Sequence, residues 1–93
     1  MLFAWDEDKR LQNAAKHGID FRDAAGIWDG VVLEVPSSQS GHGEHRYLAF
    51  GRLRGRVIAV VFVRRGTQTR IISARGARRY EREAYEEAAR WKS

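Results

Sequence analysis

Apolar residues recur with a helical spacing in the first third of the chain, in strand-like runs through the middle, and with a helical spacing again at the end. Residues 2–5 open with a short apolar run that reads as a first strand. Asp6 then caps a helix reaching about residue 16. Asp6, Glu7 and Asp8 stand where the helix dipole favours anions, and Gly18 suits the left-handed end. Asp20 caps a second, short helix in which Phe21, Ala24, Ala25 and Trp28 fall on one apolar face, and Gly30 stops it. Residues 31–36 read as a strand, and residues 37–43 as a flexible loop of Ser, Gln, Gly and His. Three strands follow, at about 46–53, 56–64 and 69–74. Arg54-Gly55 and Arg65-Gly66-Thr67 supply the tight turns of an antiparallel meander. Val57 to Val63 is almost continuously apolar, which predicts a central strand covered on both faces. The last segment, 76–91, reads as a helix with Ala77, Tyr80, Ala84, Ala88 and Trp91 facing inward and Arg78, Arg79 and Arg82 off that stripe. The order β-α-α-β-β-β-β-α predicts an α+β fold: an antiparallel β-sheet with two N-terminal helices and one C-terminal helix.

With 93 residues the chain has room for one core, so residues 1–93 are expected to form a single domain. Apolar residues make up 43% and charged residues 31%, which places the chain among globular sequences rather than disordered ones. There is no cysteine, so disulfides and thiolate metal sites are excluded. Charge enters at Asp6, too early for a signal peptide, and no apolar run approaches a membrane span. A cytoplasmic protein without membrane contact is the expectation.

The net charge of +5 conceals an asymmetry. Between His42 and Arg82 stand eleven arginines against two acids, Glu44 and Glu81, so these 41 residues carry +9 and the remainder −4. Arginine outnumbers lysine fourteen to three. A planar guanidinium fork suits bidentate phosphate contacts, whereas lysine would serve solubility equally well. A polyanionic partner follows from this bias.

Four clusters bear on chemistry. In Arg70-Ile71-Ile72-Ser73-Ala74-Arg75 strict alternation sends the two arginines to opposite faces. They are reunited by a bulge, or Arg75 leaves the strand early; the favoured expectation is the second, with Gly76 beginning the helix beside Arg78 and Arg79. His17, next to Lys16 at a helix C-terminus, sits where the dipole favours imidazolium and is a candidate general acid. His42, Glu44 and His45 have a spacing that suggests a metal, but no further ligand is evident and no cofactor is expected. Glu81 lies within helical reach of Arg78, Arg82 and Tyr85. Together these residues suit RNA cleavage by its own 2′-hydroxyl. The protein would fix the in-line geometry, neutralise the phosphorane with guanidinium groups, and assist two proton transfers without metal.

Taken together, the motifs resemble the BrnT family of type II toxins, whose fold is similar to that of RelE ribonucleases. The resemblance rests on Trp5-Asp6-Glu7 with Lys9, on Asn13 with Lys16-His17-Gly18-Ile19 and Phe21, and on Ala24 with Trp28-Asp29. It continues through Glu44, Arg46 and Gly51 to the Arg70–Arg75 run, then Ala77, Glu81 and Tyr85. It implies a metal-independent endoribonuclease that halts translation and growth. The expected partners are an RNA substrate, a cognate antitoxin of the BrnA type, and promoter DNA through the antitoxin complex alone. Carried onto this chain, it implies a site of Lys16 or His17, of Arg70 and Arg75, and of Arg78 or Arg79, without dividing roles among the arginines. Joined to the clusters above, the expected catalytic set is His17, Arg70, Arg75 and Glu81, with Lys16, Arg46, Arg64, Arg78, Arg79 and Arg82 expected to hold RNA. Relatives often place an acid before the arginine of the turn that precedes the Arg70–Arg75 run. Here Arg64-Arg65-Gly66 stands there, so Glu44 and Glu81 are the remaining candidates for the base. A non-catalytic nucleic-acid-binding module is the alternative reading of the same basic surface.

Overall fold

The computed structural model describes residues 1–38 and 44–92. Helix α1 is Glu7–His17: the Asp6 carboxylate accepts the Lys9 N–H at 3.1 Å, and Gly18, at φ 71°, donates its N–H to the Ala14 carbonyl. Asp20 caps α2, Phe21–Ala24, by accepting the Arg22 N–H at 2.9 Å. The chain then tightens into a 3-10 helix, Ala25–Asp29. Three residues per turn bring Phe21, Ala24 and Ile27 into line, and all three are fully buried. The expected face of Phe21, Ala24, Ala25 and Trp28 is therefore corrected: Ile27 replaces Ala25 at its centre, while Trp28 packs at the edge.

Five strands form one sheet in the order β1-β5-β4-β3-β2. They are β1 Leu2–Ala4, β2 Leu33–Pro36, β3 Tyr47–Leu53, β4 Arg56–Arg65 and β5 Gln68–Gly76. From β2 to β5 the sheet is the predicted antiparallel meander. The two-residue turn at Arg54-Gly55 has positive φ at both positions (51° and 80°), as a hairpin joining twisted strands requires. The sheet is nevertheless mixed, because β1 pairs with β5 in parallel. That pairing joins Leu2 to Gln68, a contact between distant parts of the chain that no local pattern encodes. Strand β4 lies at the centre, and Val57–Val63 is buried but for a half-exposed Val61.

The two sheet faces carry separate clusters. On one, α1, α2 and the 3-10 helix cover Ala49, Ile58, Val60, Phe62, Ile71 and Ala74. Phe62 sits there between Trp28, edge-on at 5.3 Å, and Tyr47, stacked at 5.6 Å. The 3-10 helix comes so close to β3 that a Cβ at Gly51 would lie 2.7 Å from Ile27 Cβ. On the other face, α3 (Arg79–Lys92) buries Tyr85 with Phe50, Val57 and Ala59, and Leu33, Val35, Leu48, Ala77 and Ala89 pack partly buried around them. The inward stripe of α3 differs from the one the sequence suggests. Glu81 and Tyr85 are buried, whereas Tyr80 and Trp91 are 64% and 84% exposed. A charged residue won the inward position because β5 offers it a partner. No helix among the described residues is long and apolar enough to cross a membrane.

Candidate functional site

The site begins with a register shift. Val61 pairs with Ser73 and Phe62 with Ile71, so Ile72 is an extra residue on β5. Beyond the shift Arg70 stands opposite Val63, Ser73 opposite Val61 and Arg75 opposite Ala59. Directly opposed residues of an antiparallel pair share a face, and Ala59 belongs to the α3 face. Arg70, Ser73 and Arg75 therefore point to the same side. Of the two ways to reunite the arginines, the bulge is the one the structure uses. The expectation that the strand ends before Arg75 is corrected: β5 runs on to Gly76, and α3 starts only at Arg79.

Arg75 is fixed by Glu81. Its Nη1 and Nη2 donate to the two oxygens of the Glu81 carboxylate at 2.7 and 3.0 Å, and Nη1 also reaches the Gly76 carbonyl at 3.2 Å. The same carboxylate accepts the Arg78 backbone N–H at 2.7 Å, which closes the first turn of α3. Glu81 is 5% exposed, and Arg75 above all, then the Arg78 N–H, hold its carboxyl below the ordinary range despite its burial. The Arg75 guanidinium is shifted up by the same bond. A carboxylate with three donors is a poor proton acceptor and a good anchor. A guanidinium has five N–H donors; among the described residues three are engaged, which leaves the Nε–H and one Nη2–H on a common edge. That edge is a fork of the kind that grips a phosphate.

Around this pair runs a polar groove of about 250 Å³. Ser73, Arg75, Arg78, Tyr80 and Glu81 line one side, and Ser37 and Ser38 the other, over a floor of Leu48 and Val61. Arg70, Arg78 and Arg82 make no ion pair among the described residues. A second groove, of about 180 Å³, lies between α1 and β5 and is lined by Lys9, Lys16, His17, Ile72 and Ser73. Ser73 borders both, so the expected His17 and Lys16 sit across the β5 edge from Arg75.

Asn13 makes that arrangement possible, a role that the local pattern of α1 does not suggest. Its buried amide donates to the Ile19 and Ala74 carbonyls at 2.8 and 2.9 Å and accepts the Ala74 N–H at 3.1 Å. It thus replaces a neighbouring strand along the part of β5 that β1 does not reach, and anchors α1 there. Its signal was only a polar residue amid the alanines of α1.

Other expected RNA contacts are spread more widely. Arg64 lies on the opposite face of the sheet, bound by both guanidinium nitrogens to Glu34 at 2.8 and 2.7 Å and packed over Phe62. Arg79 and Arg82 are exposed on the first turns of α3, Arg79 paired to Glu83 at 3.2 Å. Arg46 precedes β3, where its carbonyl accepts the Ser37 N–H beside the groove. His42 lies outside the described residues, and Glu44 pairs with Arg65. The +9 segment is thus partly neutralised by acids from elsewhere, including Asp23, Glu34, Glu83 and Glu86.

These features define a small α+β protein with a cationic, polar groove built on a bulged strand, the type of surface that accepts a phosphate-bearing chain. The chain belongs to the family of BrnT ribonuclease toxins of type II toxin–antitoxin systems, which it matches over residues 5–81. Arg75, Arg78 and Glu81 all fall inside the matched span, and Arg82 lies just beyond it. No curated protein matches the chain. A type II system pairs its toxin with a protein antitoxin, so membership implies such a partner.

Proposed function

We propose that this chain is a metal-independent endoribonuclease that acts in the cytoplasm and arrests translation and growth. The observation that carries the reading is Arg75, held rigidly by buried Glu81 with one donor edge free, beside Arg78 and on the same face as Arg70. An RNA phosphate seated on that edge has its charge neutralised as the neighbouring 2′-hydroxyl attacks. The new P–O bond closes a 2′,3′-cyclic phosphate as the 2′-hydroxyl gives up its proton to water, the P–O5′ bond breaks, and the 5′-oxygen leaves as a hydroxyl on taking up another proton. Fixed guanidinium groups stabilise the extra charge of the phosphorane more than that of the ground state, and removal of one such group typically costs about 100- to 1000-fold. His17, across Ser73, is the group we assign to protonate the leaving oxygen, and Lys16 holds an adjacent phosphate. Glu81 acts through Arg75 as a positioning residue. Arg79, Arg82 and Arg46 extend the cationic track, and the cognate antitoxin neutralises the toxin by covering it. Promoter DNA is contacted through the antitoxin.

The test is induction of wild type and Arg75→Ala in a host lacking the antitoxin, with mapping of RNA ends. Wild type is expected to stop growth and, when purified, to leave 2′,3′-cyclic phosphates in the presence of EDTA. Arg75→Ala is expected to do neither. A fully toxic Arg75→Ala, or wild-type ends bearing 3′-hydroxyls, overturns the proposal. DNA, lacking the attacking hydroxyl, stays intact.

A further inference from the structure

Tyr80 stands out among the aromatic residues. The others are buried or packed against a hydrophobic cluster, apart from Trp91 at the far end of α3. Tyr80 is 64% exposed, makes no hydrogen bond or ring contact among the described residues, and lines the groove beside Arg75 and Arg78. Its position on α3 explains this. Glu81 and Tyr85 turn inward, so the residue just before Glu81 turns out over the groove mouth. Ser37 and Ser38 line the same groove. An exposed ring with no ring partner among the described residues, in the same groove as two cations, is an arrangement suited to a nucleotide: phosphate on the guanidinium, base on the ring.

We propose that Tyr80 is a stacking platform for a base next to the phosphate held by Arg75, and that the groove therefore takes single-stranded RNA. A paired base is stacked within its own helix and cannot lie on the ring. Stacking is tolerant of base identity, so the platform selects for strandedness rather than sequence. This inference rests on the ribonuclease reading above.

The experiment measures affinity and cleavage rate separately. Affinity is read with a short single-stranded RNA carrying 2′-O-methyl groups, which binds but cannot cleave, and rate with the unmodified strand. Loss of a stacked base on an aromatic ring corresponds to a fall on the order of 10- to 100-fold in affinity. Tyr80→Ala is expected to weaken binding by that factor, and Tyr80→Phe, which keeps the ring, to restore it. A series of RNAs with one abasic position each should contain a strand that wild type binds just as weakly, and on which Tyr80→Ala has no further effect. A duplex of the same sequence should bind wild type and Tyr80→Ala alike. Because the residue is exposed, thermal melting of Tyr80→Ala should match wild type.

Unchanged affinity in Tyr80→Ala overturns the proposal. So does a Tyr80→Phe variant that binds normally but cleaves as slowly as Tyr80→Ala, since the hydroxyl would then be the working group. Wild type that binds the strand with the Tyr80 dependence but never cleaves it contradicts the nuclease reading and leaves the platform standing.

Discussion

Two arginine–glutamate pairs of nearly equal geometry lie on opposite faces of the same sheet. Arg64 meets Glu34 at 2.7 and 2.8 Å, and Arg75 meets Glu81 at 2.7 and 3.0 Å. Their settings differ. Glu34 is shared with the Trp28 indole N–H at 2.9 Å, so its pair clasps the 3-10 helix to an edge strand, and Arg64 lies flat on Phe62. Glu81 is shared with the backbone of α3, so its pair sets the angle at which that helix leaves β5 and borders an open groove. The Glu34 side chain is 31% exposed and Glu81 only 5%, so water screens the first pair and hardly the second. Bond lengths do not separate a clasp from a site. What surrounds the carboxylate, and what space lies beyond the guanidinium, does.

The comparison is broken most severely by Glu81→Gln. One buried charge is left facing a neutral amide, so about 2 kcal/mol of stability should be lost in a denaturant melt. Loosening of Arg75 should slow RNA cleavage on the order of 100-fold at temperatures where the variant is folded. Asn13→Ala strips partners from the Ala74 and Ile19 carbonyls and the Ala74 N–H. It should cost about 3 kcal/mol, a fall on the order of 10–20 °C in Tm, with cleavage below the melt reduced far less than in Glu81→Gln. Glu34→Gln should cost no more than about 1 kcal/mol and leave cleavage within roughly twofold of wild type. Equal losses in Glu34→Gln and Glu81→Gln would erase the distinction between the pairs.

The smallest effect concerns acid. Asp20 is held at about 2, first by the Arg22 side chain and backbone N–H and then by Arg10. A carboxyl depressed in the folded state contributes stability that is complete above its ordinary value and is lost as pH falls through the folded one. Asp20 therefore adds acid sensitivity between its reference value of 3.8 and about 2. Asp20→Asn should unfold with a shallower pH dependence in that window and with the same dependence above it.

Much of this architecture was legible in the chain. Asp6, Gly18 and Asp20 mark helix ends by local chemistry alone, and Arg54-Gly55 marks a hairpin by its tolerance of positive φ. The apolar run of β4 announced the central strand. The unread features all depend on distant partners. Asn13 is 61 residues from Ala74, and β1 meets β5 across a similar distance along the chain. Glu81 turns inward because Arg75 awaits it, which sends Tyr80 outward against a purely hydrophobic count. The bulge at Ile72 belongs to the pairing of two strands, so alternation along β5 gave only a conditional answer for Arg70 and Arg75. Residue types at the site were readable; which of them share a cleft was set by tertiary contacts.

The most direct measurement compares Arg75→Ala with Arg64→Ala on one RNA in EDTA, each variant checked for folding by its melt. The account predicts a loss of at least about 100-fold in cleavage for Arg75→Ala and near-wild-type cleavage for Arg64→Ala. Equal impairment of the two, or a greater loss at Arg64, would place the chemistry on the wrong face of the sheet and contradict it.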